Sequence, residues 1–295
     1  MSRIGHQDIR IGTLAPMDKG VSYLKQILPH GFESFELTLG KYIGEVDLAK
    51  TAQEVNELLN DSDSIISSVG IYGNPLQDEQ TATDFETLIK SAKLFGCNIV
   101  CGFAGALEDR PVDESMPKFK KVFGHLAKVA EDEGVKIAFE NCDMLGTWER
   151  PRWNIAHSPR AWEMMFNEVP SEALGLEWEP CHQMNSLVDP IPQLRKWVNK
   201  VYHVHGKDAT IAWDVLESEG LRSGKRWVWH RTPGFGDTNW ADIITILRMN
   251  NFVGSIDIEG WHDPVYNGYL EMTGQVHALQ YLQSCRGSDY IPNPS

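Results

Sequence analysis

Eight short apolar runs recur along the 295 residues, each separated from the next by a longer amphipathic stretch. Runs of this length are too short for helices and read as buried strands. Strand and helix in strict alternation imply a parallel sheet, because parallel neighbours need a crossover connection that a helix supplies. The strand candidates are 9–15, 34–39, 64–72, 98–104, 136–142, 174–180, 200–206 and 254–260. Helices are expected near 18–28, 47–60, 81–95, 115–133, 158–168, 190–199, 239–250 and 266–284. No GxGxxG turn follows the first strand, so the eight units favour a single (β/α)8 TIM barrel over a doubly wound open sheet.

Local punctuation agrees with this division. Asp47, Thr83 and Asn239 stand where helix N-caps are wanted, and Gly134 and Gly254 mark returns from helix to strand. The length suits one barrel of about 250 residues plus loops, so 1–295 reads as one domain. Two stretches exceed ordinary connections, about 142–157 after the fifth strand and 207–238 after the seventh. Both follow strand C-termini, where barrel enzymes build their sites, and are expected to lie over the active site. The second carries Trp213, Arg222, Lys225, Arg226, Trp227, Trp229, His230 and Arg231.

Net charge narrows the partners. A formal charge of −14 opposes nucleic-acid binding, which needs a basic face, and gives no reason to expect an anionic membrane surface. The first residues lack the basic-then-apolar order of a signal peptide, and the five cysteines include no CxxC pair. Reduced, buried thiols in a cytoplasmic protein are the expectation.

Four consecutive strand candidates, the fifth to the eighth, end in groups able to bind a hard metal. They are FEN at 139–141, EPCH at 179–182, HVHGKD at 203–208 and IEG at 258–260. A carboxylate inside an apolar strand is costly unless paired, protonated or metal-bound. Four such polar groups, three carboxylates and an imidazole, at equivalent strand ends of a closed barrel converge, so a shared cation accounts for them better than separate ion pairs. The ligands assigned are Glu140, Glu179, His205 and Glu259; three carboxylates and one imidazole suit Mn²⁺ first, with Mg²⁺ or Co²⁺ as alternatives. His182 lies just past a strand end and is placed to reach a substrate oxygen. His203 shares the face of His205, deeper in the strand, and reads as a core or supporting histidine.

The same residues resemble the xylose-isomerase-like barrel superfamily, which holds sugar isomerases, ketose 3-epimerases, inosose dehydratases and, distantly, endonuclease IV. RTPGFGDTNW at 231–240 also resembles that family's Arg-x-Pro-Gly-x-Gly segment. Most members carry aspartate where this chain has Glu179, which makes it the most altered ligand. Glu177, two residues earlier, is its deeper substitute. By the resemblance, Glu140 and Glu259 are also the catalytic acid–base groups, and His182 and Arg231 bind substrate. Lys207 is a further substrate-binding candidate, its plainer role being a salt bridge to Asp208 or Glu259. Tyr72, Asn74, Trp153, Asn154 and Glu36 fall at strand ends or in the long loop and fit a sugar site, with Asn74 taken as substrate-binding. His262, just after Glu259, stands where a base could reach the pocket.

A cation on the carbonyl and adjacent hydroxyl of a keto-sugar stabilises an enediolate, which a carboxylate forms by removing the neighbouring proton. Isomerisation or epimerisation is the leading expectation, and a lyase the alternative, expelling water as in inosose dehydration or an aglycone from a 3-oxo-glycoside. An endonuclease-like activity would require more histidines and a basic face, and a non-catalytic barrel would not require four intact ligands. Barrels of this family often pair, and the tryptophans offer a surface for a homo-oligomer.

Overall fold

The computed structural model describes residue 6 and residues 8–294. Its strands are β1 Ile9–Pro16, β2 Ser34–Leu39, β3 Ile65–Ile71, β4 Ile99–Gly102, β5 Lys136–Glu140, β6 Leu174–Trp178, β7 Val201–Gly206, β8 Asp208–Ile211, β9 Val228–Arg231 and β10 Gly254–Ile258. The α-helices are α1 Gly20–Ile27, α2 Leu48–Leu59, α3 Glu79–Ser91, α4 Met116–Glu133, α5 Pro159–Glu168, α6 Pro180–Asn185, α7 Pro190–Trp197, α8 Trp213–Glu219, α9 Trp240–Met249 and α10 Glu271–Arg286. Eight strands form a closed barrel in the order β1-β10-β7-β6-β5-β4-β3-β2, and β8 and β9 make a separate two-stranded sheet. The fold is the (β/α)8 TIM barrel expected from the alternation of runs. Among the described residues no helix is long and apolar enough to cross a membrane.

Two compact units divide the chain, one of Leu14–Trp178 with Lys200–Val204, the other of Met1–Thr13, Glu179–Asn199 and His205–Ser295. In the first, strand alternation sorts the side chains. Phe139 of β5 packs against Phe119 and Phe123 of α4, with ring centroids 5.8 and 4.8 Å away. Ala138 and Glu140 therefore face the opposite way. In register, Glu140 stands beside Glu177 of β6, and Glu177 beside His203 of β7, so one level carries three polar side chains. In the second unit β1 pairs with β10 from Ile9↔Gly254 to Thr13↔Ile258. The Thr13 hydroxyl ties that edge to α10 by donating to Gln275 Oε1 at 2.5 Å.

Helix starts follow the expected chemistry with one correction. Asp47 and Asn239 accept from the backbone N–H of Lys50 and Asp242. Thr83 is not a cap: Asp78 caps α3 instead, and Thr83 lies one turn inside, its hydroxyl donating to Glu79 O at 2.9 Å. An aspartate upstream captured the first free N–H groups, so the helix begins earlier. Gly134 closes α4 in a left-handed conformation, φ +64°, where a side chain would be strained. The sixth strand stops at Trp178, because Pro180 takes the first position of α6, where its missing N–H costs nothing. The stretch 207–238 is not all loop, since β8, α8 and β9 lie within it.

Candidate functional site

Three of the four expected ligands meet in the second unit. Glu179 ends the backbone run of β6 as the residue before α6, His205 lies on β7, and Glu259 follows β10. All three are buried, and each offers one ligand atom within 4.8 Å of the others. His205 Nδ1 is 3.4 Å from Glu259 Oε2. Lys207 Nζ lies 2.9 Å from Glu259 Oε1, 3.9 Å from Glu179 Oε2 and 3.3 Å from His182 Nε2. His182 Nε2 is itself 3.0 Å from Glu179 Oε1, and His262 Nε2 is 2.9 Å from Glu259 Oε1. Of the two salt bridges open to Lys207, the structure forms the one to Glu259.

Burial pushes the Glu259 carboxyl up, but the Lys207 ammonium and hydrogen bonds from His205 and His262 outweigh it and hold it well below the usual carboxylate range. Glu259 is thus an ionised carboxylate surrounded by proton donors. The cluster also fits a divalent cation. Donors about 2.1 Å from one ion stand no more than about 4.2 Å apart, so small side-chain rotations would gather these three. Among the described residues, buried Glu259 Oε2 is met by His205 Nδ1 alone, at a long 3.4 Å.

Glu140 and Asn74 belong to the first unit. Glu140 is buried at the end of β5, and Asn154 secures the chain there, its Nδ2 donating to Glu140 O and Cys142 O at 2.8 Å. Asn154 Oδ1 also accepts from Ala104 N and Ala156 N at 3.1 Å, which binds the start and end of the 142–157 loop together. The Asn74 amide is engaged in the same way: it accepts from Ala106 N at 2.9 Å and donates to Ala106 O at 2.9 Å. Both asparagines hold loops with their side chains.

Below Glu140 the polar level continues. Tyr72 donates to Glu36 Oε1 at 2.5 Å and lies 2.9 Å from Glu177 Oε2, while His203 Nδ1 is 3.0 Å from Glu177 Oε1. Burial, then the Glu177 and Glu36 charges, push the Tyr72 hydroxyl well above its usual range. Glu177 is therefore engaged with Tyr72 and His203, while Glu179 lies with His205 and Glu259. The four buried cysteines and half-buried Cys285 are all free thiols.

The 207–238 segment is organised around Asp208. Its carboxylate accepts from Ala209 N, Thr238 N, the Thr238 hydroxyl and Trp240 Nε1. Burial still pushes this carboxyl up, against the lowering effect of those hydrogen bonds. A Cβ added at Gly236 would run into the Asp208 carboxyl and stand 2.7 Å from Ala209 O, so there is no room for a side chain there. Arg231, ending β9, donates from Nε to Asp263 Oδ2 at 2.9 Å, and Asp263 also accepts from Thr232, Val265 and Tyr266 N–H groups.

His230 and Asp263 were not assigned to the site from sequence. His230 is the cross-strand partner of Ala209 in the β8–β9 ladder. Its ring lies 5.0 Å from that of His182 and 5.8 Å from that of His262. The alternation of Val228, Trp229, His230 and Arg231 is a strand signal that could have placed it, had the segment been read as a hairpin.

Barrel, buried strand-end carboxylates and histidines, and hairpin together define a class. The sequence model of the xylose isomerase-like TIM barrel family matches residues 24–285, and the chain belongs to that family. Among curated proteins, the inosose dehydratase of Clostridium tetani (strain Massachusetts / E88) is 26% identical over 187 residues, 60% of this chain and 57% of that one. The chain thus spans just over half the length of this curated relative. Among solved structures, a xylose isomerase domain protein from Planctomyces limnophilus aligns over 95% of this chain and 97% of its own, with TM-score 0.71 and 17% identity. The 3-keto-D-glucoside 4-epimerase of E. coli aligns over 94% and 100%, with TM-score 0.68 and 15% identity. At these identities the structural likeness is one of fold.

Proposed function

We propose that this chain is a divalent-metal-dependent enzyme that removes the proton beside the ketone of a keto-polyol or keto-sugar and then expels a hydroxyl as water. The observation that carries this reading is the ionised Glu259 with Lys207, His205 and His262 around it and His182 beside Lys207. Glu179, His205 and Glu259 would hold the metal, with Glu140 as the fourth ligand. Support for Glu140 is its burial and its position level with Glu177, two residues before Glu179. Mn²⁺ is the proposed ion, on the oxygen-rich donor set. When bound, the cation supplies Lewis acidity to the ketone and adjacent hydroxyl oxygens.

Glu140 and Glu259 are the proposed acid–base pair. One accepts the carbon-bound proton, and the electron pair moves toward the ketone oxygen. That pair then returns to re-form the ketone while a carbon–carbon double bond forms and the β carbon–oxygen bond breaks; Lys207 or His182 delivers a proton to the departing hydroxyl, so that water leaves and the enol of a 1,2-diketone remains. Arg231, fixed by Asp263, is proposed to orient the substrate. Elimination stands ahead of isomerisation here because Lys207 and His262 beside Glu259 could protonate a departing hydroxyl, and because the curated relative is an inosose dehydratase. Epimerisation is the second reading, favoured by the likeness to a 3-keto-D-glucoside 4-epimerase.

Mass spectrometry of the product from an inosose, with Mn²⁺ present, tests the choice. Loss of water supports the dehydratase, and an unchanged formula replaces it with the epimerase. Glu140→Gln and Glu259→Gln should each lower turnover at least ~100-fold with an unchanged far-UV spectrum. Near-normal activity in either would remove that residue from the pair.

A further inference from the structure

The β8–β9 hairpin presents one face to α6. Ala209, Ile211 and Val228 on that face pack with Cys181 and Met184 of the helix. His230, opposite Ala209, shares the face, which lays its ring on His182, also of α6. His262 is its second ring neighbour, 5.8 Å away. His182 lies against Glu179 and His262 against Glu259, so His230 bridges the two imidazoles that flank two candidate ligands. Among the described residues neither ring nitrogen of His230 makes a hydrogen bond.

We propose that His230, between His182 and His262, forms a subsite that binds uncharged hydroxyl groups of a polyol or sugar beside the carboxylate–histidine centre. The inference rests on the reading of that centre as a keto-polyol site and specifies its substrate as unphosphorylated where it meets the hairpin. Burial, and then the charges of Lys207, His182 and His262, lower the His230 pKa to about 2, so the ring is neutral. A neutral imidazole offers one donor and one acceptor, and a hydroxyl offers the same pair in return. A phosphate offers acceptors alone and calls for cationic partners. Lys207, the ammonium whose charge acts on His230, is paired with Glu259.

Calorimetric titration of the Mn²⁺-loaded full chain with an inosose, with a set of its mono-deoxy analogues and with D-fructose 6-phosphate tests this. His230→Phe should weaken inosose binding about tenfold, the worth of one hydrogen bond and its desolvated partner, and His230→Gln should retain most of the affinity. One deoxy analogue should bind the native protein about tenfold more weakly than the inosose, yet bind His230→Phe no more weakly than the inosose does. A His230→Phe variant that binds the inosose like the native protein overturns the subsite alone. Native protein preferring the phosphorylated ketose, with that preference lost in His230→Phe, also overturns it. Native protein that binds no inosose or ketose overturns the functional reading along with it.

Discussion

Lys207→Met isolates the charge on which the site depends. The ammonium is 2% exposed, 2.9 Å from Glu259 and 3.9 Å from Glu179. Removing one partner of a buried ion pair strands the other charge and costs about 3–5 kcal/mol. Unfolding entropy near 2.1 cal/mol/K per residue gives a chain of this length roughly 0.6 kcal/mol/K, so the midpoint should fall by roughly 5–8 °C. Thermal unfolding followed by circular dichroism, in chelator and then in Mn²⁺, makes the measurement. In Mn²⁺ the variant should regain more than the native protein gains, because the cation compensates the same carboxylates without competing with an ammonium. A variant that melts within 1 °C of native in chelator would show that Lys207 does not compensate Glu259. Equal stabilisation of both proteins by Mn²⁺ would show that Lys207 and the ion do not share those carboxylates.

Gly236→Ala should destabilise the chain by about 1–3 kcal/mol in chemical denaturation, since the new methyl meets the Asp208 carboxyl and Ala209 O. An unchanged midpoint would mean that the segment shifts freely, against the anchoring seen at Thr238 and Trp240. His230 gives a pH signature: its folded pKa of about 2 lies below the unfolded value near 6.5, so the unfolded chain binds the extra proton between them. Its contribution is therefore constant above pH 6.5, and stability declines below that by up to about 1.4 kcal/mol per unit. His230→Phe should lack this slope in denaturant titrations between pH 7 and 5, and an identical slope would place the charge change elsewhere.

Much of this was written in the order of the chain. The eight apolar runs and their spacing determined the barrel, because parallel strands admit few other connections of that length. Strand-end chemistry determined which side chains could form a centre: Glu179, His205 and Glu259 lie at successive strand ends, and period-two alternation turns His203 the same way one level deeper. The cap of α3 was misplaced because two capping residues compete five positions apart, and only the backbone path decides which N–H groups are free.

What the tertiary structure alone decided is who partners whom. The sequence offered Lys207 either Asp208 or Glu259; the fold gives Asp208 to Thr238 and Trp240 and leaves the ammonium to Glu259. It assigns the amides of Asn74 and Asn154 to loop carbonyls, and Glu177 to Tyr72 and His203. It also folds 208–231 into a hairpin that carries His230 to His182, 48 positions earlier in the chain. Periodicity reports the face on which a side chain lies. Pairing depends on distances across strands and loops far apart in sequence, and those are fixed only when the chain has closed.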